Sequence, residues 1–288
     1  MSDYPRAIAQ DSKHFDPVKL ALDTEDIVCK GDLRKYTNFY LDKKAYSGIA
    51  TADAAGCCLR CFFCWADKSR DYPELHGEFY NPEEVLKKLI DIAEENNVKI
   101  MRLSGAEPTL CREHLFKFLS IVEETEYDFI LETNGILLSD EEYVKQLSKY
   151  KKIKVRVSLK AGTPEQFAKK TGAISESFEL PFLAVRNLRK YGVNFSLAAA
   201  TDPRIMNLQE RESLFRKLEE IDPELTENID EEILLSYNIS SERIKKSGMS
   251  NTALLIPNFF TYLLRRLPFK GVRIFIKNLL YRFIHRSN

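Results

Sequence analysis

Apolar residues recur along this chain in short runs that alternate with helical stripes. Ser47–Ala52 reads as a strand, and Asn81-Pro82-Glu83-Glu84 then opens a helix, with Asn81 as cap, Pro82 in the first turn and Glu84 as the capping-box partner. Leu86, Leu89, Ile90 and Ala93 continue it at helical spacing. The same reading gives strands at Lys99–Leu103, Phe129–Leu131, Ile153–Leu159, Val193–Ala199 and Ile233–Leu235. Helices are expected over 112–124, from a cap of Ser139 with Glu142, over Phe178–Tyr191 and over 208–219. Six strands alternating with helices argue for a parallel α/β sheet. Residues 1–44 read as an irregular or helical lead-in, 45–240 as the core domain and 241–288 as an extension.

Such folds carry their chemistry at the C-terminal ends of the strands. The unusual segments of this chain fall there: Gly56–Trp65, Ser104–Pro108, Glu132–Gly135, Ser158–Lys160 and Ala198–Thr201. The first contains Cys57, Cys61 and Cys64 in a Cys-x₃-Cys-x₂-Cys run. Three thiolates without an adjacent fourth suit an iron–sulfur cluster with one iron left open, whereas electron carriers close every iron with protein ligands. A zinc knuckle completed by Cys58 or Cys111 is the competing reading, although structural zinc sites usually pair Cys-x₂-Cys units. Cys58 and Cys111 otherwise read as small buried thiols, and the scattered histidines His14, His76, His114 and His285 as surface residues. Phe62 and Trp65 suit packing as well as substrate contact.

In this order the loops resemble the radical S-adenosylmethionine (radical SAM) enzymes, over about residues 45–240. Phe63 precedes the third cysteine as in that family, and Gly105-Ala106-Glu107-Pro108 resembles its Gly-Gly-Glu-Pro loop with alanine at the second position. The resemblance implies a partial (β/α)6, TIM-like open barrel of parallel strands. It also implies a [4Fe–4S] cluster on Cys57, Cys61 and Cys64, with S-adenosylmethionine chelating the fourth iron. One electron, from a reductant such as ferredoxin or flavodoxin, would cleave the cofactor. The resulting 5′-deoxyadenosyl radical would abstract hydrogen from a substrate the motifs do not identify, leaving the catalytic residues toward it unknown.

By the same resemblance, Gly105 and Ala106 would receive the methionine ammonium, with Glu107 in the same loop. Thr133 and Asn134 would hold ribose or methionine, and Ser158 and Lys160 the ribose hydroxyls or the carboxylate. Phe63 would shield the cluster or touch adenine. YSGIATADAAGC, GEFYNPEE, ILETNGIL and VRVSLKAGTPEQFAKKTGA look like a largely archaeal group of such proteins with unassigned substrates.

Composition changes this picture at two points. The six cysteines, four of them within eight residues, read as metal ligands in a reducing compartment and not as a disulfide framework. With a polar N-terminus lacking an apolar core, they make a cytoplasmic protein the expectation. Lys+Arg and Asp+Glu are equal at 43 each, so no overall field favours nucleic acid. Yet no acidic residue follows Glu242, and the tail from Arg243 to Arg286 holds ten Lys and Arg.

Within that tail Val272, Phe275, Ile276, Leu279 and Phe283 form one helical stripe. An amphipathic, solely basic helix reads as a peripheral membrane contact through 254–286, as an RNA face, or as a helix packed on the acidic body. The alternative function is therefore a zinc or iron–sulfur module that docks on membrane or RNA without radical catalysis.

Overall fold

In the computed structural model, residues 4–6, 13–66, 68–232 and 243 are described. The elements in chain order are α1 (Pro17–Val28), β1 (Cys29–Lys30), β2 (Leu33–Asp42), β3 (Ile49–Ala54), α2 (Lys68–Asp71), β4 (Glu78–Tyr80) and α3 (Pro82–Glu95). They continue with β5 (Ile100–Gly105), α4 (Arg112–Glu123), β6 (Asp128–Thr133), α5 (Glu141–Leu147), β7 (Ile153–Leu159), α6 (Pro164–Thr171) and α7 (Leu180–Lys190). The last are β8 (Phe195–Ala199), α8 (Leu208–Glu219), α9 (Glu224–Glu227) and β9 (Asp230–Glu231).

Strands β3, β5, β6, β7, β8 and β9 lie in that order, every neighbouring pair parallel. β1, β2 and β4 extend the β3 edge in antiparallel fashion. The described sheet is open, because β1 and β9 at its ends do not pair. This is the partial, unclosed α/β barrel expected from the loops. The sixth parallel strand comes earlier than Ile233–Leu235, which lies outside the described residues, as does the basic stretch 254–286.

Period-two alternation sorts the parallel strands into two faces. Met101, Leu103, Phe129, Leu131, Val155 and Val157 join the apolar core. Thr51, Asp53, Arg102, Ser104, Glu132 and Arg156 occupy the alternate positions, so the opposite, concave face is polar. Register places Asp53 beside Ser104 and Glu132 beside Arg156 in one row across the sheet.

The capping box at Asn81 and Glu84 is present, with Asn81 Oδ1 accepting from Glu84 N at 2.8 Å and Glu84 Oε2 accepting from Asn81 N at 2.9 Å. Other expectations need correction. The lead-in contributes two strands as well as α1. β2 lacks a simple alternation because Arg34 and Lys35 are both buried. Helix α5 is capped by Asp140, while Ser139 closes the preceding turn on Ile136 O. α6, capped by Thr163, had not been expected. His114 is core, not surface: Tyr36 Oη lies 2.9 Å from its Nε2 and Asp32 O 2.7 Å from its Nδ1.

Candidate active site at the strand ends

The loop after β3 begins at Gly56, whose positive φ of 80° and tight packing leave no room for a side chain: a Cβ there would lie 2.6 Å from Thr24. The cysteine loop is then pinned to the end of α6. Arg60 N donates to Thr171 O (2.9 Å) and Phe62 N to Lys170 O (3.1 Å). Lys170 is itself buried and paired with Glu210 at 2.7 and 2.9 Å, which fastens α6 to α8. A short α6, missed from the sequence, is thus what the metal-binding candidate loop rests on.

Cys57 and Cys61 are buried and Cys64 is half-buried. Cations surround the loop. Arg60 Nη1 donates to Cys57 O and Arg70 Nη1 to Cys61 O, each at 2.6 Å. Burial pushes the Cys61 thiol up to about 12, while the charges of Lys160 and Arg70 pull it down. Of the adjacent thiols, Cys57 is held below its usual value, chiefly by a hydrogen bond from Cys58, and Cys58 is held above it. Cys58 instead turns to Asn134, whose Nδ2 lies 3.3 Å from its sulfur and 3.7 Å from that of Cys57.

This donor set fits an iron–sulfur cluster: three thiols on one loop, with positive groups around them to offset thiolate charge. Among the described residues, no three Cys, His, Asp or Glu converge as ligands of a single ion. A cluster spreads its thiolates over separate irons.

The loop after β5 meets the cysteine loop through its backbone. Gly105 has φ 91°, and a Cβ there would sit 2.8 Å from Ala54 N. Ala106 has no positive φ, which explains why alanine is accepted where the family loop has glycine. Ala106 N donates to Ala54 O (3.0 Å) and Glu107 N to Gly56 O (2.9 Å).

Glu107 is 1% exposed. Its Oε1 accepts from Thr109 Oγ1 (2.6 Å), Thr133 Oγ1 (2.7 Å) and Thr109 N (3.2 Å), and its Oε2 accepts from Asn134 N (2.8 Å). Thr133 Oγ1 also accepts from Gly135 N at 3.0 Å. Glu107 and Thr133 therefore spend their polar groups on joining two loops. Gly105, Ala106, Ser158, Lys160 and Cys64 stay half-buried and form the accessible rim, with Lys160 Nζ donating to Ser158 Oγ at 2.6 Å. Phe63 is buried edge-on to Phe62 at 5.3 Å. Trp65 is exposed.

Sequence reasoning missed Arg34, Arg60, Arg70 and the concave row containing Asp53. Arg34 Nη2 donates to Glu107 O at 2.8 Å, holding the same loop from behind. The row was readable as charged residues at alternate positions of otherwise apolar strands. Cys111 and Cys29 form a disulfide, with Cα atoms 5.7 Å apart and a sequence separation of 82. This corrects the reading of Cys111 as a small buried thiol, since spacing carries no information on which distant cysteines meet.

Parts of the chain are similar to known proteins. A GTP 3′,8-cyclase described as probable, from Methanococcus maripaludis, is 34% identical over 115 residues, covering 40% of this chain and 37% of that protein. The 7-carboxy-7-deazaguanine synthase of Methanothermobacter thermautotrophicus is 31% identical over 117 residues, 38% of this chain and 45% of that one. The chain thus spans less than half the length of these relatives. Among solved structures, archaeal TYW1 aligns with TM-score 0.41 and 13% identity, covering 60% of this chain and 62% of that one. Streptococcus suis SuiB bound to S-adenosylmethionine aligns with TM-score 0.37 and 17% identity over 62% and 48% of the two chains. The family model described as Radical SAM superfamily matches residues 53–218. That match covers more than half of the chain, which therefore belongs to the radical SAM superfamily, whose enzymes work with a [4Fe–4S] cluster and S-adenosylmethionine.

Proposed function

We propose that Cys57, Cys61 and Cys64 hold the cluster and that the protein uses it to cleave S-adenosylmethionine reductively, acting on a substrate seated in the concave face of the sheet. Once bound, the cluster and S-adenosylmethionine would supply reductive radical chemistry for hydrogen abstraction, driven by one electron from a ferredoxin- or flavodoxin-like donor. The chain's own part is binding, orientation and exclusion of side reactions. Gly105 and Ala106 offer backbone that a methionine ammonium can approach, and Ser158 and Lys160 offer polar groups for ribose or carboxylate. Phe63 walls the cysteine loop. Glu107 and Thr133 serve as positioning residues that set Asn134 beside Cys57.

The observation that carries this reading is the cation-ringed thiol loop held edge to edge with the Gly105–Ala106 backbone. The test is anaerobic reconstitution followed by dithionite and S-adenosylmethionine. 5′-Deoxyadenosine is the expected product, and its absence from cluster-loaded protein refutes the proposal. Alanine at Cys57, Cys61 or Cys64 is expected to abolish visible absorption and bound iron, while Cys58→Ala retains both.

The charge asymmetry of the chain supports a second reading, that residues 254–286 bring the enzyme to an anionic membrane surface. Among the described residues no helix is long and apolar enough to cross a membrane. Flotation of the full chain with anionic vesicles, lost on truncation after Gly248, is the expected result; equal flotation of both forms rejects the idea.

A further inference from the structure

The concave face holds a buried carboxylate with an unanswered oxygen. Asp53, on β3, is 3% exposed, and no hydrogen-bond donor among the described residues reaches its Oδ1. The Tyr40 hydroxyl lies near the carboxylate and favours its ionised form. Asp42 and Glu132 also face it, as does one cation, Arg102.

That cation is already committed. Arg102 Nε donates to Thr51 Oγ1 (3.2 Å), Nη1 to Glu132 Oε1 (3.3 Å) and Nη2 to Asp42 Oδ2 (3.0 Å). Arg156, the next guanidinium along the row, is held by Asp230 (2.6 Å) and Glu232 (2.9 Å) and lies 3.9 Å from Glu132. Ser104 has its hydroxyl on Glu132 at 2.6 Å, and Lys160 has its ammonium on Ser158 beside the cysteine loop. Five carboxylates in this network face two guanidiniums, and Asp53 is the one that no salt bridge among the described residues reaches.

Leaving a buried acceptor unpaired destabilises the fold, the more so when it is charged. Folding gains nothing from keeping such a group, so a ligand is the natural source of the missing donor. We infer that the substrate of this enzyme carries a cationic nitrogen group, an amine or amidine, and that Asp53 receives it on the concave face with Glu132 alongside. The terminal torsion of an aspartate is broad and twofold, so the free oxygen can swing toward an arriving group at little cost. Glu132 and Asp42 retain 22% and 27% side-chain exposure, which leaves an approach along this row. Burial pushes the Asp53 carboxyl up to about 7, and a cation set against it would restore the ionised form.

This assignment rests on the radical SAM reading of the site, and the experiment separates the two. Reconstituted, S-adenosylmethionine-loaded wild type is titrated with methylguanidinium and methylammonium, and with acetamide as the neutral control. The signal is the infrared band of the protonated carboxyl group. Saturable loss of that band with the cations but not with acetamide is expected. Asp53→Asn should lack the band and bind the better cation at least tenfold more weakly by calorimetry.

Absence of saturable cation binding to wild type, equal binding of acetamide, or affinity unchanged in Asp53→Asn each overturns the assignment. Formation of 5′-deoxyadenosine is followed in the same wild-type preparation. Product without cation preference sinks only the substrate class; cation preference without product sinks the catalytic proposal.

Discussion

Replacing Glu107 by glutamine changes one atom in a fully enclosed network. The carboxylate accepts four hydrogen bonds, two of them from the backbone N–H groups of Thr109 and Asn134. If the glutamine oxygen takes the Oε1 place, its NH₂ faces Asn134 N–H. If the amide is flipped, the NH₂ faces Thr109 N–H, and Thr133 Oγ1 already accepts from Gly135 N. Either orientation sets donor against donor where water is excluded. A hydrogen bond to a charged group contributes about 1.5–3 kcal/mol, and an unsatisfied buried donor costs about 1–3.

Glu107→Gln is therefore expected to lose about 3 kcal/mol of stability. The assay is anaerobic urea denaturation of wild type and variant, followed by far-ultraviolet circular dichroism. Thr133→Val should lose about 1–2 kcal/mol alone, and the double variant less than the sum, because the two residues share one bond. A loss under about 0.5 kcal/mol for Glu107→Gln, or strict additivity, would mean that this network does not tie the two loops together.

Burial depresses His114 to about 4 from an ordinary 6.5, so the unfolded chain binds the extra proton between these values. Its contribution, about 3 kcal/mol, is complete above pH 6.5 and disappears as pH falls toward 4. The difference in denaturation midpoint between wild type and His114→Gln should follow that slope between pH 4.5 and 6.5, since the opposed titration of Asp53 is common to both and cancels. Asp53 has the opposite sign: its folded value is raised to about 7 from 3.8, so it costs stability progressively as pH rises through that interval. Asp53→Asn should gain about 1–3 kcal/mol at pH 8 by the same assay and little near pH 4. Lys170→Met leaves Glu210 charged and buried and should cost about 3–5 kcal/mol, while adding Glu210→Gln should recover most of it, since replacing both members of a buried pair is often near neutral; melting temperatures of wild type and the two variants check this.

Much of the architecture was legible because helix and strand periods differ and the caps are explicit. Asn81 and Glu84 formed the box their spacing called for, and the Ile153–Leu159 alternation became β7 with its apolar side chains buried. α6 escaped notice because eight residues hold barely two turns, and most of its polar surface is contributed by exposed charges. β2 was missed for the opposite reason: Arg34 and Lys35 sit buried among carbonyl groups, so polarity no longer reports exposure.

Sequence alone determined the alternating α/β layout, the thiol spacing and the loops that share the strand-end edge, since each depends on neighbours a few residues apart. Tertiary structure decided that Glu107 is an organiser, that Cys29 meets Cys111, and that Asp53 lies buried with one oxygen unpaired. These outcomes depend on which groups from distant segments arrive at the same point and use up one another's hydrogen bonds. No local pattern encodes that competition.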